Sequence, residues 1–478
     1  MFIASDETSF VKHFLPLMQN GTIGRQDYFF GFAREAQLAM QLFIHQDEPI
    51  TSELILMVVR MMNIVFASAT VVVVFLLASA LFGNTIQAIL AALVFSLLPL
   101  HVLQSHYATP AASFVFWFWS AIYSFFVFSK KNSIWLWYFA WACAACACAT
   151  KFGFVVLIPG FILFARRPTL ALGLGLILFV VVFLYMNLWW APWDLYEGLK
   201  NSTVPDNFNE RVYSRWTNIV TYIIGLMPAL TLAVLIPAFF GLWQRLRSIS
   251  SNILSQVPKD FFYILELPLL VQFLILLSLT SAFNRHLVIF MPYFAILAVT
   301  TLCNMAKRTV FQRSVALVSI ISIVFYQLTA VVNLESNLLP NRYLLALKWL
   351  AQNKPATDTI YFPSKWEFEE TLRPVVPSAW RSDSVETAKY ALVSDKVIWR
   401  MKRSTLNPFT ERPKYNEIFH SGMIDDYATM LKIVFEESQF EKVVNFSSVE
   451  YLPEFILYKK LFSTYTDEYG DITIYKRK

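Results

Sequence analysis

The chain has 478 residues, of which 57% are hydrophobic and only 15% charged, and its net charge is +6. Soluble domains carry about 25% charged residues, so this balance excludes an ordinary soluble protein. The small positive excess forms no basic stripe with interleaved aromatics, which excludes a nucleic-acid partner.

Residues 1–52 come first and hold too many charges for the apolar core of a signal peptide. They open on an acid pair, Asp6–Glu7, in "SDETSF". In the stretch that follows, Phe10, Phe14, Leu17 and Met18 recur at helical spacing, which predicts a helix lying on a membrane surface. "YFFGFAREAQLAMQLFIHQ" predicts a second one.

Long apolar runs then begin, each near the roughly 20 residues that cross a hydrocarbon core. The pattern predicts ten spans: about 53–82, 86–105, 110–129, 133–150, 153–165, 169–190, 216–244, 261–280, 286–305 and 312–333. The fifth is short. Between the second and third, "SHYATP" predicts a helix entry with Thr109 as N-cap and Pro110 at the start. Beyond 333 the charges return, and "DTIYF", "YALVSDKVIW", "KVVNF" and "ITIYKRK" read as short strands beside a helical stretch around "MIDDYATMLKIVFEES". The fold class is therefore an α-helical multi-span membrane domain, residues 1–333, followed by a small α/β domain, residues 334–478.

Orientation follows from the basic residues. Lys130–Lys131, Arg166–Arg167, Arg245, Arg247 and Lys259, and Lys307, Arg308 and Arg313 fall in alternate loops, which are assigned to the cytoplasm. The remaining loops, residues 1–52, 106–109, 151–152, 191–215 and 281–285, then lie outside together with the C-terminal domain. The expected location is a bacterial inner (plasma) membrane.

The polar chemistry gathers on that outer side. A partly desolvated carboxylate there, Asp6 with Glu7 beside it, suits a general base; a solvated acidic loop is the plainer alternative. His106, next to Tyr107, suits a phosphate or sugar ligand, or a helix cap. Arg285 and His286 stand at a helix start, where an Arg and a positive helix end bind anions, or where a cation snorkels. Lys151 is a further cation on the same side. Trp190 belongs to the cluster Trp189, Trp190 and Trp193, either a membrane belt or a stacking surface for a sugar. Arg60 lies inside a span, where a charge needs a partner, such as a first-loop carboxylate. Cys143, Cys146 and Cys148 read as small packing residues, since no His or acid flanks them in the sequence. No set of metal ligands is legible, so no cofactor is assigned.

The order of these motifs resembles the integral-membrane GT-C glycosyltransferases of the protein mannosyltransferase and lipid A aminoarabinose transferase type. The likeness is carried by "SDETSF…YFFGF", the Arg-led span with its Gly turn and "SHYATP" exit, "ACATKFGF", "NLWWAPWDLYEGL", "NRHLVIFMPYF" and "LPNRYLLALKWLAQN", in series over about the first 350 residues. The resemblance implies an inverting transfer of a sugar from a polyprenyl-phosphate-linked donor to a lipid, glycan or protein acceptor outside the membrane. It implies Asp6 as the base. One position departs from the pattern: Ala111 stands where the family carries Asp. The family also places a span just before its acid pair, and "MFIAS" resembles the end of one. The expectation is a gene product that begins upstream, because residues 1–52 carry too many charges to cross unaided.

Overall fold

In a computed structural model of the chain, the described residues are 14–15, 30–43, 50–151, 169–187, 215–250, 262–278, 284–307, 309–338, 342–362, 376–382, 384–394, 433, 439–462 and 471–478. They fall into two compact units: one holds the described residues of Phe10–Asn209 and Ile219–Val331, and the other those of Val332–Lys478 together with Glu210–Asn218.

The first unit is helical. Helix α1 (Phe30–Phe43) realises the second predicted surface helix, with Phe32, Ala33, Ala36 and Met40 buried on one side. Of the first surface helix only Phe14 and Leu15 lie among the described residues, and they are helical. Helix α2 (Ser52–Phe82) begins where the Thr51 hydroxyl accepts the Leu54 amide and ends at Gly83, whose φ of 62° is a conformation that glycine adopts without cost. It is apolar all round, as a helix between protein and lipid must be. Ile55, Val59, Val74 and Leu77 are buried, while Met57, Met61, Val65 and Val72 are exposed.

The predicted second span is two helices, α3 (Thr85–Ser96) and α4 (Pro99–His106), bent by 58°. Pro99 is the cause: it lacks an amide hydrogen and disfavours helix at the residue before it. Helix α5 (Ala111–Lys131) packs on α2, α4 and α6 (Ile134–Thr150), and 83% of its apolar window is buried, which makes it the centre of the unit. Thr109 does not cap it, contrary to the sequence expectation. Pro110 takes the N-cap position, and the Thr109 hydroxyl has no hydrogen-bond partner among the described residues. The reason is Asn63 of α2, whose amide donates to the carbonyls of both Tyr107 (2.5 Å) and Thr109 (2.7 Å) and so fixes the loop in another shape.

Along α6, Ala144, Ala147 and Cys148 are fully buried and the four cysteines are free. Trp137 ties α6 to α7 (Thr169–Asn187) by donating to the Ala171 carbonyl at 2.9 Å. Helix α8 (Arg215–Ser250) breaks at Thr231, whose φ is 60°. Gln327 of α11 (Val310–Leu338) donates to the Leu230 carbonyl (2.7 Å) and the Thr231 hydroxyl (2.9 Å), so the polar groups freed by the break are met inside the protein. A π-helical turn (Phe262–Glu266) leads into α9 (Leu267–Ser278), and a 3-10 turn (Asn284–Phe290) leads into α10 (Met291–Ala306). Arg245 pairs with Glu266 at 2.8 Å, and Glu266 also accepts from Tyr293 at 2.9 Å, joining α8, the π turn and α10.

Six described helices are long and apolar enough to cross a membrane, or seven when α3 and α4 count as one span; α6 and residues Ile264–Leu274 are shorter apolar helices. The chain is a multi-pass membrane protein. The predicted span 153–165 lies outside the described residues.

The second unit receives the end of α11, where Asn333 and Asn337 both donate to the Val449 carbonyl at 2.9 Å. After α12 (Arg342–Asn353) come β1 (Ile360–Tyr361), β2 (Arg381–Ser382), β3 (Tyr390–Ser394), β4 (Phe440–Phe446), α13 (Pro453–Phe462) and β5 (Ile472–Arg477). The sheet order is β2-β1-β3-β5-β4, parallel about β1 and antiparallel about β5. Ala346, Leu347 and Leu350 of α12 pack with Ile360, Leu392 and Ile474 in one core, and Tyr361, Ala391, Val393 and Phe440 form another. The four predicted strands are present. β2 and α13 were not expected, and the helical stretch predicted around 423–438 lies outside the described residues apart from Ile433.

Candidate functional site

Four pieces of the first unit meet at one end of α5. The 3-10 turn carrying Arg285 and His286 packs against α4 and α5, and Trp119 of α5 anchors it by donating to the Ile289 carbonyl at 2.9 Å. The bend at Pro99 turns α4 so that it can reach this place, and the last turn of α6 delivers Lys151.

Lys151 is half-buried, and its ammonium lies 5.0 Å from the centre of the Phe114 ring, in the first turn of α5. Among the described residues no carboxylate forms a salt bridge with it. Burial lowers Lys151 from the usual lysine range to about 8. The charges of Lys151 and Arg285 both act on His286. The His286 Nδ1 is 3.1 Å from the Tyr222 hydroxyl of α8. Two cations, a histidine and a phenol are thus gathered in one place.

The other sequence candidates fall differently. His106 is exposed at the end of α4, and its Nδ1–H donates to the Val102 carbonyl at 2.7 Å, a helix-end bond. Tyr107 is buried and contributes its carbonyl to Asn63. Asp6, Glu7 and Trp190 lie outside the described residues. Arg60 is half-buried on α2.

Sequence reasoning missed two residues. Tyr222 gave no signal beyond being one tyrosine in an apolar run. Glu35 did leave a signal. It lies on the apolar stripe of α1 formed by Phe32, Ala36, Ala39 and Met40, where a carboxylate is out of place. It is 7% exposed, and its Oε1 accepts from Trp117 (2.6 Å) and Thr150 (3.4 Å) while its Oε2 accepts from Ser113. Burial raises Glu35 to about 7, against the pull of these three donors. Among the described residues no group of three His, Cys, Asp or Glu side chains is placed to hold a metal.

No protein-family model matches the sequence, and no curated protein matches it. Solved structures do. The oligosaccharyltransferase of Archaeoglobus fulgidus, in a crystal structure with Zn and sulfate, matches with a TM-score of 0.53 at 10% identity, over 99% of this chain and 84% of that one. The same archaeal enzyme, AglB, in complex with an inhibitory peptide and a dolichol-phosphate, matches with a TM-score of 0.52 at 11% identity, over 99% and 84%. The chain has the GT-C fold. ArnT from Cupriavidus metallidurans, bound to undecaprenyl phosphate, is a further match, with a TM-score of 0.49 at 13% identity, over 99% and 94%. In this fold, Lys151, Arg285 and His286 gather near the start of α5, while Glu35 accepts from Ser113 and Trp117 of α5 and Thr150 of α6.

Proposed function

We propose that this protein is an inverting glycosyltransferase that moves a sugar from a polyprenyl-phosphate-linked donor to a lipid, glycan or protein acceptor on the extracytoplasmic face of a membrane. The observation that carries the reading is the cationic cluster of Lys151 and Arg285 about His286, within a GT-C fold. The archaeal oligosaccharyltransferase that shares the fold was solved with a dolichol-phosphate, a lipid phosphate of the class proposed here.

In the proposed reaction the acceptor hydroxyl attacks the sugar carbon from the face opposite the phosphate. Asp6 takes the hydroxyl proton, with Glu7 beside it. The carbon–oxygen bond to the lipid phosphate breaks, and the electron pair leaves with the phosphate oxygen. Lys151 and Arg285 stabilise that charge where it develops, and His286 donates a hydrogen bond with Tyr222 fixing its ring. His106 and Tyr107 contribute to binding the donor's phosphate or sugar, and Trp190 offers a face on which the sugar stacks. In the same reading the domain from residue 334 onward is extracytoplasmic. No step is routed through a metal.

The second reading is a catalytically degenerate GT-C homologue, or else a lipid-linked sugar transporter or assembly partner; one observation favours the degenerate homologue: Ala111 occupies the first position of α5, where the family resemblance expects Asp. Membranes containing the protein, supplied with radiolabelled polyprenyl-phosphate sugars, separate the two. Transfer of label to an acceptor supports the enzyme. Binding of the donor without transfer supports the second reading.

The cationic site has a pH signature of its own. Lys151 is charged below about 8 and neutral above it. A phosphate monoester, with its second pKa near 6, is already a dianion there. Affinity for undecaprenyl phosphate is expected to fall roughly tenfold between about pH 7.5 and pH 9, and to stay flat in Lys151→Arg, whose guanidinium does not titrate. Equilibrium binding to the purified protein measures this, and a flat wild-type profile would remove Lys151 from the site.

A further inference from the structure

The proposed transfer leaves Glu35 without a part, although it is a buried acid held by the elements that carry Phe114 and Lys151. Its carboxylate gathers donors from two other helices: Ser113 and Trp117 (2.6 Å) in the first two turns of α5, and Thr150 (3.4 Å) at the end of α6. The neighbours of two of these donors matter. Phe114 follows Ser113, Lys151 follows Thr150, and the Lys151 ammonium rests 5.0 Å from the centre of the Phe114 ring. Glu35 therefore holds the residues next to both members of the Lys151–Phe114 contact.

The backbone of α1 supports the same junction. A Cβ added at Gly31, one turn before Glu35, would come within 2.8 Å of the Thr150 amide nitrogen. Only a glycine lets α1 lie this close to the last turn of α6. The three donors use both carboxylate oxygens, and a glutamine would turn one of those acceptors into a donor, so the pattern calls for a carboxylate.

We propose that Glu35 is a positioning residue of the cationic site: it locks the end of α6 to the start of α5 and so sets where Lys151 presents its ammonium to the phosphate of the donor. The inference rests on the reading of Lys151 as a phosphate ligand. It assigns Glu35 no contact with substrate. All of its described partners are protein donors, and its effect on the ligand passes through Lys151.

A double-mutant cycle on the full chain tests this, with undecaprenyl phosphate as the probe. The dissociation constant and the melting temperature are measured for wild type, Glu35→Ala, Lys151→Met and the double variant, and for Glu35→Gln, which keeps the shape of the side chain. Glu35→Ala and Lys151→Met are each expected to weaken binding about tenfold, the scale of one hydrogen bond to a charged group. The double variant is expected to match Lys151→Met within about twofold, because Glu35 has nothing left to position. Glu35→Gln should fold and bind with intermediate strength. Additive losses in the double variant would overturn the inference and leave the phosphate reading standing. So would a lower melting temperature in the Glu35 variants with an unchanged dissociation constant. Equal binding by wild type and Lys151→Met would instead remove the phosphate reading, and this inference with it.

Discussion

Asp6→Asn is expected to lower sugar transfer by about 10²–10⁴-fold, the usual worth of a positioned general base. The asparagine keeps the size of the side chain and removes the site that takes the proton of the acceptor. The donor's phosphate is held by other residues in the proposed reaction, so the donor KM should change little while kcat falls. An interaction made only in the transition state leaves that signature. The measurement is turnover with radiolabelled donor at saturation, with melting temperature as a control for folding. Near-wild-type turnover would take the role away from Asp6, and Glu7→Gln would then be the variant to assay.

The largest effect on stability is expected at Glu266. Its carboxylate accepts from Arg245 at 2.8 Å and from Tyr293 at 2.9 Å, and the Arg245 and Glu266 side chains retain only 11% and 9% of their exposure. Removing one partner of such a pair costs about 3–5 kcal/mol, because a buried charge loses its counter-ion. Glu266→Ala should therefore lower the melting temperature in detergent markedly. Glu266→Gln, which still accepts from both donors, should lower it less. Equal melting of wild type and Glu266→Ala would mean that other neighbours of Arg245 carry its charge. Donor binding should be unaffected in the folded fraction, because the residues of the cationic cluster lie on other elements or at other positions along α8.

The sequence by itself determined the class of this protein and the places where its polar residues gather. Long apolar runs such as residues 52–82 become helices because a backbone in hydrocarbon must satisfy its own hydrogen bonds, and a helix does so within one segment. Beyond residue 333, where the charges return, short runs rich in β-branched and aromatic residues marked the strands β1, β3, β4 and β5, since such side chains pack well on a pleated surface. Lys151, Arg285 and His286 were legible as unusual because each interrupts an apolar context.

Only the tertiary structure decided which of them meet. Lys151 and Arg285 are separated by more than a hundred residues, and no local rule brings α6 beside the turn at Asn284–Phe290. Packing around the buried α5 does so, through Trp119 and the Phe114 ring. His106 looked equivalent to them in the sequence, yet its ring turns back to its own helix, because the Val102 carbonyl at the end of α4 needs a donor. Thr109 looked like a helix cap until Asn63, from another helix, claimed the loop carbonyls. Glu35 was the reverse case. Its place on an apolar stripe was visible in the sequence, but the Ser113, Trp117 and Thr150 donors that make a buried carboxylate tolerable come from two other helices. Burial of a polar group is a property of its neighbours, and neighbours distant in sequence are set by the fold.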